Sequence, residues 1–330
     1  MSDVIGWLTG KDNPSVRFFT LASLVEKPPD DPEVVESKNA IMEYGPVPRI
    51  LGMQHEDGTW GDDPRKFYTD KYGGTSWVLL ILAELGADPN DRRIRKACEF
   101  ILDHSQDKEG AGFSYMQSEK TGWGLAGGVI PCLTGNMAYS LIKLGYMDDA
   151  RVGDALDWIV KHQRADDAED GPPVGKVYEK YVMCWGRHSC HMGVAKALKA
   201  LAALPPSLRT AGMEKKIAEL SEYFLKHHIY KMSHDLGKVS KPGWLKFGFP
   251  LMYNTDVLEL LGIFTSLGIK DPRLNEAVDA VRKKMCADGT WKLENSFNGK
   301  MPVDIEEKGA PSKWVTLKAL CALKAYGQVG

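Results

Sequence analysis

The sequence lacks an excess of charge of either sign. Its 330 residues include 42 Lys and Arg against 44 Asp and Glu, which gives a formal net charge of -2. Nucleic acids and anionic membranes are bound through clustered positive charge, so this balance predicts no nucleic-acid partner. Hydrophobic residues make up 43% of the chain, an ordinary share for a globular protein with a large core.

Long apolar runs are also missing. The longest ones have the size of a single helix and are interrupted by polar residues, too short to cross a bilayer. The first residues, MSDVIGWLTGKDN, lack the basic and then apolar segments of a signal peptide. We therefore expect a cytoplasmic protein with no integral membrane segment. In that compartment the six cysteines are thiols or metal ligands rather than disulfides.

Alternating patterns typical of strands are sparse, whereas one helical pattern returns six times. The repeats begin near Ser15, Thr75, Thr134, Ser189, Tyr253 and Ser312. Each opens with a Ser, Thr or Asn that can cap a helix, continues as an apolar run rich in small residues, and in most cases ends in Gly. The regular spacing, roughly 55 to 64 residues, indicates a structural repeat.

More strongly amphipathic segments, such as RRIRKACEFILDH and RVGDALDWIVKHQ, lie between these runs. They place apolar residues at i, i+3, i+4 and i+7, as a helix does when one face meets solvent. Each repeat therefore predicts a hairpin of an apolar inner helix and an amphipathic outer helix. The first and last inner helices are as apolar as the others, unlike the capping repeats of an open solenoid. We expect an all-α fold, a closed α/α toroid of six helical hairpins, formed by one domain over residues 1–330.

A second recurring motif follows two outer helices. The segment QHEDGTW at residues 54–60 fits the Q-x-x-x-G-x-W pattern of squalene–hopene cyclases, and Asp-Gly-Thr-Trp returns at residues 288–291. Weaker echoes begin at Gln106 and Gln163. The chain thus resembles the terpenoid-cyclase and protein-prenyltransferase α6/α6 toroids. In such proteins this motif fastens outer helices to the next turn, so Trp60 and Trp291 are predicted to cover helix ends in equivalent turns.

The resemblance does not extend to the catalytic motifs of terpene cyclases. Class II terpene cyclases use a D-x-D-D acid, and class I synthases use a D-D-x-x-D diphosphate site. Neither motif occurs in a suitable place in this chain. The acidic run that begins at Asp166 lies in a loop after an outer helix and is typical of a solvated turn. Cyclisation started by a proton or by loss of diphosphate is therefore not predicted.

Residues able to do chemistry cluster before the fourth inner helix, where two Cys and two His fall within eight positions. Others open the neighbouring inner helices. Inner-helix N-termini offer free N–H groups and the positive end of the helix dipole, so we expect these side chains to converge at one end of the central cavity. The converging set is Cys132, Cys184, His188, Cys190, His191, His234, Tyr253 and Asp256.

The chemistry of each side chain suggests a role for it in the predicted site. The residues predicted to carry the chemistry are Cys190, His191, Asp256, His188 and Tyr253. The predicted substrate contacts are Cys132, Trp185, His234, Trp244, Phe249 and Trp314. Thiolate, imidazole and carboxylate are zinc ligands, and catalytic sites use three of them. The predicted zinc ligands are Cys184, Cys190, His191 and Asp256.

Two resemblances bear on zinc. Protein prenyltransferases place Asp, Cys and His near the starts of adjacent inner helices, and this chain matches those types in a different order. Lanthionine cyclases use a Cys and an adjacent Cys-His pair, which Cys190 and His191 resemble. A metal-free Cys/His acid–base site is an alternative, since a thiol at a helix N-terminus has a lowered pKa. A structural role for these residues is the other alternative.

Linalool dehydratase–isomerase, also a helical toroid, is similar in applying Cys, His and Asp to an isoprenoid alcohol. The sequence thus predicts an enzyme whose apolar and aromatic central cavity holds a hydrophobic, isoprenoid-type substrate. Its chemistry would be zinc-assisted attack, or acid–base addition or elimination, as in a cyclase, prenyltransferase or dehydratase. No nucleotide cofactor is predicted. The alternative is a non-catalytic module that binds a hydrophobic ligand or partner.

Overall fold

The computed structural model of the chain describes residues 2–168, 171, 173–175, 178–179, 181–186 and 188–328. It is built mainly from α-helices, so the predicted all-α class is confirmed. Within these residues the sheet structure is one antiparallel hairpin of β1 (Lys231–Met232) and β2 (Asp235–Val239), together with isolated bridges. No helix in this part of the chain combines the length and the apolar character needed to cross a membrane.

Six apolar helices form an inner ring. They are α2 (Pro14–Phe19), α5 (Thr75–Leu85), α7 (Pro131–Leu141), α10 (His191–Ala202), α12 (Val257–Ser266) and α14 (Lys313–Ala325). The π-helical turns Thr20–Leu24 and Ile142–Tyr146 continue α2 and α7. All six begin within four residues of the predicted positions. α7 begins earlier because Pro131 fits the first helical turn, and α12 begins later because Asp256 is its N-cap.

The remaining helices lie mostly outside this ring. They are α1 (Ser2–Leu8), α3 (Pro32–Ala40), α4 (Pro46–Leu51), α6 (Arg92–His104), α8 (Ala150–His162), α9 (Val182–Trp185), α11 (Ala211–Lys226) and α13 (Asn275–Lys283). Short 3-10 turns occur at Pro64–Lys66, Ala126–Gly128, Pro206–Leu208, Pro242–Leu245 and Pro272–Leu274. The strongly amphipathic helices α6, α8, α11 and α13 bury their apolar faces against inner helices.

The inner helices close on themselves. Along the chain, α5 packs on α7, α7 on α10, α10 on α12 and α12 on α14, and α14 returns to α2. α7 and α10 approach most closely at Gly135, where a Cβ would lie 2.4 Å from the backbone of Lys196. Two lysines of α14 tie it to the first repeat: Lys313 Nζ lies 2.6 Å from Asp12 Oδ1, and Lys324 Nζ lies 3.0 Å from the Leu24 carbonyl.

The two Asp-Gly-Thr-Trp turns are equivalent, as their shared string predicts. Trp60 donates from its indole to the Ile50 carbonyl of α4 at 2.9 Å, and Trp291 donates to the Val281 carbonyl of α13 at 2.8 Å. Both indoles are buried over the end of an outer helix. The backbone N–H of each Trp is held by a threonine of the following inner helix, Thr75 or Thr316.

Glutamines fasten consecutive outer helices to one another. The Gln54 amide after α4 donates to the Arg93 carbonyl at the start of α6, at 2.8 Å. The Gln106 amide after α6 donates to the Arg151 carbonyl at the start of α8, at 2.7 Å. Each bond therefore joins the end of one outer helix to the first turn of the next.

Candidate functional site

Three cysteines meet at the N-terminal end of the inner helices, and we call Cys132, Cys184 and Cys190 the sulfur cluster. Cys190 is the N-cap of α10, Cys184 lies in α9, and Cys132 is the second residue of α7. Cys184 lies within hydrogen-bonding reach of the Cys190 sulfur, and Cys132 lies within electrostatic range of both. Two neighbouring repeats therefore bring three sulfur atoms together.

The surroundings of these thiols push their pKa values apart. The hydrogen bond from Cys184, helped by the backbone N–H groups of Met192 and Gly193, outweighs burial and holds the pKa of Cys190 below its usual value. The same hydrogen bond, together with burial, raises the pKa of Cys184. Burial raises the pKa of Cys132 to about 12. At neutral pH the cluster therefore holds one thiolate beside two thiols.

Aromatic side chains surround the sulfur cluster, and we call Tyr68, Tyr72, Trp77 and Tyr253 the aromatic rim. Tyr68 lies within hydrogen-bonding reach of Cys132, and its ring stacks on Trp77 with centroids 4.7 Å apart. Tyr253 lies 6.1 Å from Trp77 between ring centroids and bonds through its hydroxyl with Tyr72. Because Trp77 belongs to α5 and Tyr253 precedes α12, this contact spans the mouth of the ring.

The predicted histidines have their own partners or are exposed. His191 contacts the Tyr223 hydroxyl through Nδ1, and its ring packs 4.6 Å from that of His227. Burial lowers the pKa of His191 to about 3, so the imidazole is neutral. Successive residues of a helix point about 100° apart, which separates His191 from Cys190. His188 and His234 are exposed to solvent.

Asp256 serves as the cap of α12. Its carboxylate accepts hydrogen bonds from the backbone of Glu259 at 2.8 Å and of Gly248 at 3.1 Å. Burial raises the pKa of Asp256 to about 7. The four predicted zinc ligands thus fall in three places: Cys184 lies beside Cys190, His191 contacts Tyr223, and Asp256 caps α12. Within the described ranges no three His, Cys, Asp or Glu side chains are grouped so as to hold a metal ion. Zinc binding stays a prediction.

The predicted aromatic contacts Trp185, Trp244, Phe249 and Trp314 pack against other rings. Trp185 meets Trp158 edge-on, Trp244 packs against the His191 ring, and Phe249 stacks on Trp314 with centroids 4.1 Å apart. The structure therefore groups Cys132, Cys184, Cys190 and Tyr253. The other predicted residues have partners outside this group: His191, Asp256, Trp185, Trp244, Phe249 and Trp314 make the contacts described above, and His188 and His234 are exposed.

Further along the ring axis, ion pairs join inner helices across the lumen, and we call their five residues the ion layer. Lys196 of α10 lies 2.7 and 2.8 Å from the carboxylate oxygens of Glu259 in α12. Lys199 lies 2.9 Å from Glu259 and also pairs with Glu84 of α5. Glu84 lies 3.0 Å from Lys318 of α14. In the ring α7 separates α5 from α10, and α2 separates α5 from α14, so both Glu84 pairs cross the lumen.

The ion layer is largely buried and charged. The Lys196 and Glu259 side chains are only 1% and 5% exposed. Although burial alone would raise it, Lys196 and Lys199 hold the pKa of Glu259 below its usual range. Burial lowers the pKa of Lys196, and its two bonds to Glu259 oppose that shift. The space between the inner helices is therefore crossed by charged pairs that the apolar runs of the sequence do not predict.

Two sets of residues near the site were not predicted from the sequence. Tyr68, Tyr72 and Trp77 were missed because they precede or open α5, a repeat without Cys or His at its start. The ion layer left a visible signal: each contributing inner helix carries a charge inside an otherwise apolar run, as Glu84 does in TSWVLLILAELG. A charge in a fully buried helix needs a partner, and the toroid supplies one across its lumen.

No family model and no curated protein matches the chain. Among solved structures, a protein from Actinoplanes is 14% identical, with 95% of this chain and 90% of that chain covered and a TM-score of 0.46. A variant of the type II terpene cyclase MstE from Scytonema, in complex with geranylgeranyl dihydroxybenzoate, is 17% identical with both chains fully covered and a TM-score of 0.43. Another MstE variant without ligand is 16% identical, covers 98% of each chain and has a TM-score of 0.43. Similarity at this level establishes neither the family nor the activity of this chain.

Proposed function

We propose that the chain is an enzyme that removes water from, or adds water to, a small hydrophobic substrate at the sulfur cluster. The proximity of Cys184 to Cys190, which caps α10, carries this proposal. It places a thiol beside a thiolate, and two neighbouring groups with pKa values pushed apart supply the acid and the base that elimination requires. The aromatic rim favours a substrate with an apolar body and one polar group, such as an isoprenoid-type alcohol.

In the dehydration direction, Cys184 donates its proton to the leaving hydroxyl while Cys190 takes a proton from the adjacent carbon. A carbon–carbon double bond forms and water leaves. Cys190 is then a thiol and Cys184 a thiolate, and the proton returns along their hydrogen bond to restore the starting state. Burial raises the pKa of Tyr68, which keeps its hydroxyl protonated and able to orient the substrate oxygen. Hydration follows the same steps in reverse.

Turnover of tertiary and allylic isoprenoid-type alcohols by reduced protein tests the proposal, with alkene and isomeric alcohol products detected by gas chromatography and mass spectrometry. We expect Cys190→Ser and Cys184→Ser each to lower kcat by at least about 100-fold, the usual contribution of a positioned acid or base. Cys286→Ser is the matched control, because Cys286 is also partly buried but follows α13 outside the cluster. Full activity of Cys190→Ser would contradict the proposal.

The same preparation separates the remaining alternatives. Stoichiometric zinc that is lost in Cys190→Ser would replace acid–base catalysis with a metal-assisted reaction, as the sequence predicts. Binding of the alcohols without any product, in wild type and variants alike, would leave a binding module. Absence of both binding and turnover would remove this substrate class. Each result is read from metal analysis, product analysis and ligand titration on one sample.

A further inference from the structure

A cavity of about 310 Å³ lies against the outer helix α8. Three aromatic side chains line it, Trp158, Tyr178 and Trp185, and we call them the aromatic box. The carboxylate residue Asp107 lines the same cavity. We propose that this cavity binds a small methylated ammonium ion of the choline type. The proposal goes beyond the reaction assigned to the sulfur cluster and does not depend on it.

The rings of the aromatic box stand nearly at right angles to one another. Trp185 meets Trp158 at 72° with ring centroids 6.0 Å apart, and it meets Tyr178 at 78° with centroids 5.1 Å apart. Gly112 fixes the position of Trp158, because a Cβ there would lie 2.9 Å from Trp158 Cε2. Aromatic faces attract cations, and rings set at right angles around one cavity suit the rounded shape of a methylated ammonium ion.

Asp107 supplies negative charge to this cavity. It is only 6% exposed, and its carboxylate accepts a hydrogen bond from the Glu109 backbone N–H at 3.2 Å. The adjacent Lys108 lies 3.7 Å from Asp103 instead, and no Lys, Arg or His of the described ranges forms an ion pair with Asp107. A buried carboxylate without a cationic partner is unfavourable, so a bound cation would satisfy it.

The remaining charges select the kind of cation. His162 lies one turn from Trp158 on α8 and also lines the cavity. Burial, followed by the neighbouring Lys161, lowers the pKa of His162, so the imidazole is largely neutral at pH 7 and does not compete with a cationic ligand. Choline carries no anion, whereas Asp107 would repel the phosphate of phosphocholine, the head group of a lipid. The cavity therefore favours free choline over that head group.

Titrations followed by NMR signals of the ligand test the proposal with four probes. Choline is compared with 3,3-dimethylbutan-1-ol, which has the same shape but no charge. We expect choline to bind at least about tenfold more tightly, because only the cation is attracted by both the aromatic box and Asp107. Ethanolamine has the charge without the methyl groups, and its ammonium costs more to remove from water. Ethanolamine and phosphocholine should each bind at least about threefold more weakly than choline.

Two substitutions locate the binding site. Asp107→Asn removes the charge and keeps an acceptor for the Glu109 N–H, so it should weaken choline binding at least about tenfold and leave 3,3-dimethylbutan-1-ol unchanged. Its matched control is Asp154→Asn, since Asp154 is an exposed carboxylate of α8. Tyr178 is half-buried, and Tyr178→Leu should weaken choline binding at least about threefold. Tyr178→Phe keeps the ring and should bind choline as the wild type does.

The wild-type series decides the matter even if a variant does not fold. Equal binding of choline and 3,3-dimethylbutan-1-ol, or no binding of choline, overturns the proposal. Tighter binding of phosphocholine than of choline also overturns it, in favour of a lipid head group. Choline binding that Asp107→Asn and Tyr178→Leu both leave unchanged would place the site elsewhere. Failure of the proposed reaction at Cys190 would leave the expected order of the four probes in place.

Discussion

The sulfur cluster and the ion layer are both polar and both lie inside a ring of apolar helices, yet the fold holds them differently. The sulfur cluster lies at helix ends. Cys190 is the N-cap of α10, Cys184 belongs to the four-residue helix α9, and both thiols are only partly buried. The ion layer sits within the inner helices and links non-neighbouring ones, as Glu84 and Lys199 do. Helix ends leave N–H groups free to tune a thiolate, whereas positions within the helices leave charges that only another helix can neutralise.

This comparison assigns reactivity to one region and structural integrity to the other. A change at Cys184 or Cys190 would remove the proposed chemistry at little cost in stability, because these two thiols are only partly buried. A change in the ion layer that removes one partner leaves an uncompensated charge in a dry interior. The following predictions separate these effects, from the largest expected change to the smallest.

Glu259→Leu alone should lower the free energy of unfolding by about 3–5 kcal/mol, because Lys196 loses its buried partner. Lys196→Met with Glu259→Leu should cost distinctly less, since no buried Lys196 charge remains. Urea unfolding of the single and double variants measures both values. The assignment of the ion layer to stability fails if the single variant is as stable as the double one.

Asp256 is the N-cap of α12, the helix that contains Glu259 of the ion layer. The pH dependence of stability should therefore change when Asp256 is substituted. Burial raises its pKa to about 7, so the folded protein holds a proton that the unfolded chain releases near pH 4. Stability that depends on this proton is therefore lost as pH rises from about 4 to 7. Asp256→Asn removes that loss, so the variant should gain more than about 1 kcal/mol relative to wild type across this window.

Parallel urea titrations at pH 4.5 and pH 7.5 measure the gain. Asp288→Asn is the control, because Asp288 is an exposed turn carboxylate that accepts from Thr290. It should show no comparable gain. An equal pH dependence for wild type and Asp256→Asn would mean that Asp256 is ionised in the fold throughout the window.

Cys190 should be alkylated before the other thiols of the cluster. Its lowered pKa gives it a larger thiolate fraction at pH 7 than a free cysteine, whose pKa is about 8.5. We expect iodoacetamide to label it at least about tenfold faster than Cys132, whose pKa burial raises to about 12. Because the thiolate fraction rises with pH, the rate at Cys190 should reach half its maximum at a lower pH than that of free cysteine. Equal rates at both positions would contradict the thiolate assignment.

Cys190→Ala should change the free energy of unfolding by less than about 1 kcal/mol, since it removes a partly buried thiol at a helix end. The same substitution should abolish rapid alkylation and the proposed turnover. Urea unfolding at pH 7 measures the first effect. A decrease of several kcal/mol in the free energy of unfolding would show that the sulfur cluster is structural. The two regions would then not differ in their contribution to stability.

Patterns local to one helix were predictable, and contacts between repeats were not. The six inner helices follow from apolar runs with caps, and Trp60 and Trp291 follow from a shared four-residue string. The convergence of Cys132, Cys184 and Cys190 was predictable because neighbouring repeats place helix starts together. The direction of His191 was not, because the residue after an N-cap already follows the helix and turns toward Tyr223. The ion layer depends on which helices face one another across the lumen.

Closure of the ring through α14 also has a consequence for how the protein is made. The bonds that join α14 to the first repeat connect Lys313 with Asp12 and Lys324 with Leu24, pairs separated by 301 and 300 positions. A ribosome adds roughly 5–20 residues per second, so the first inner helix waits about 15–60 s for its last neighbour. Throughout that time an apolar flank of α2 faces the surrounding solution. Nascent chains interrupted before α14 should therefore be the form most readily captured by chaperones and proteases.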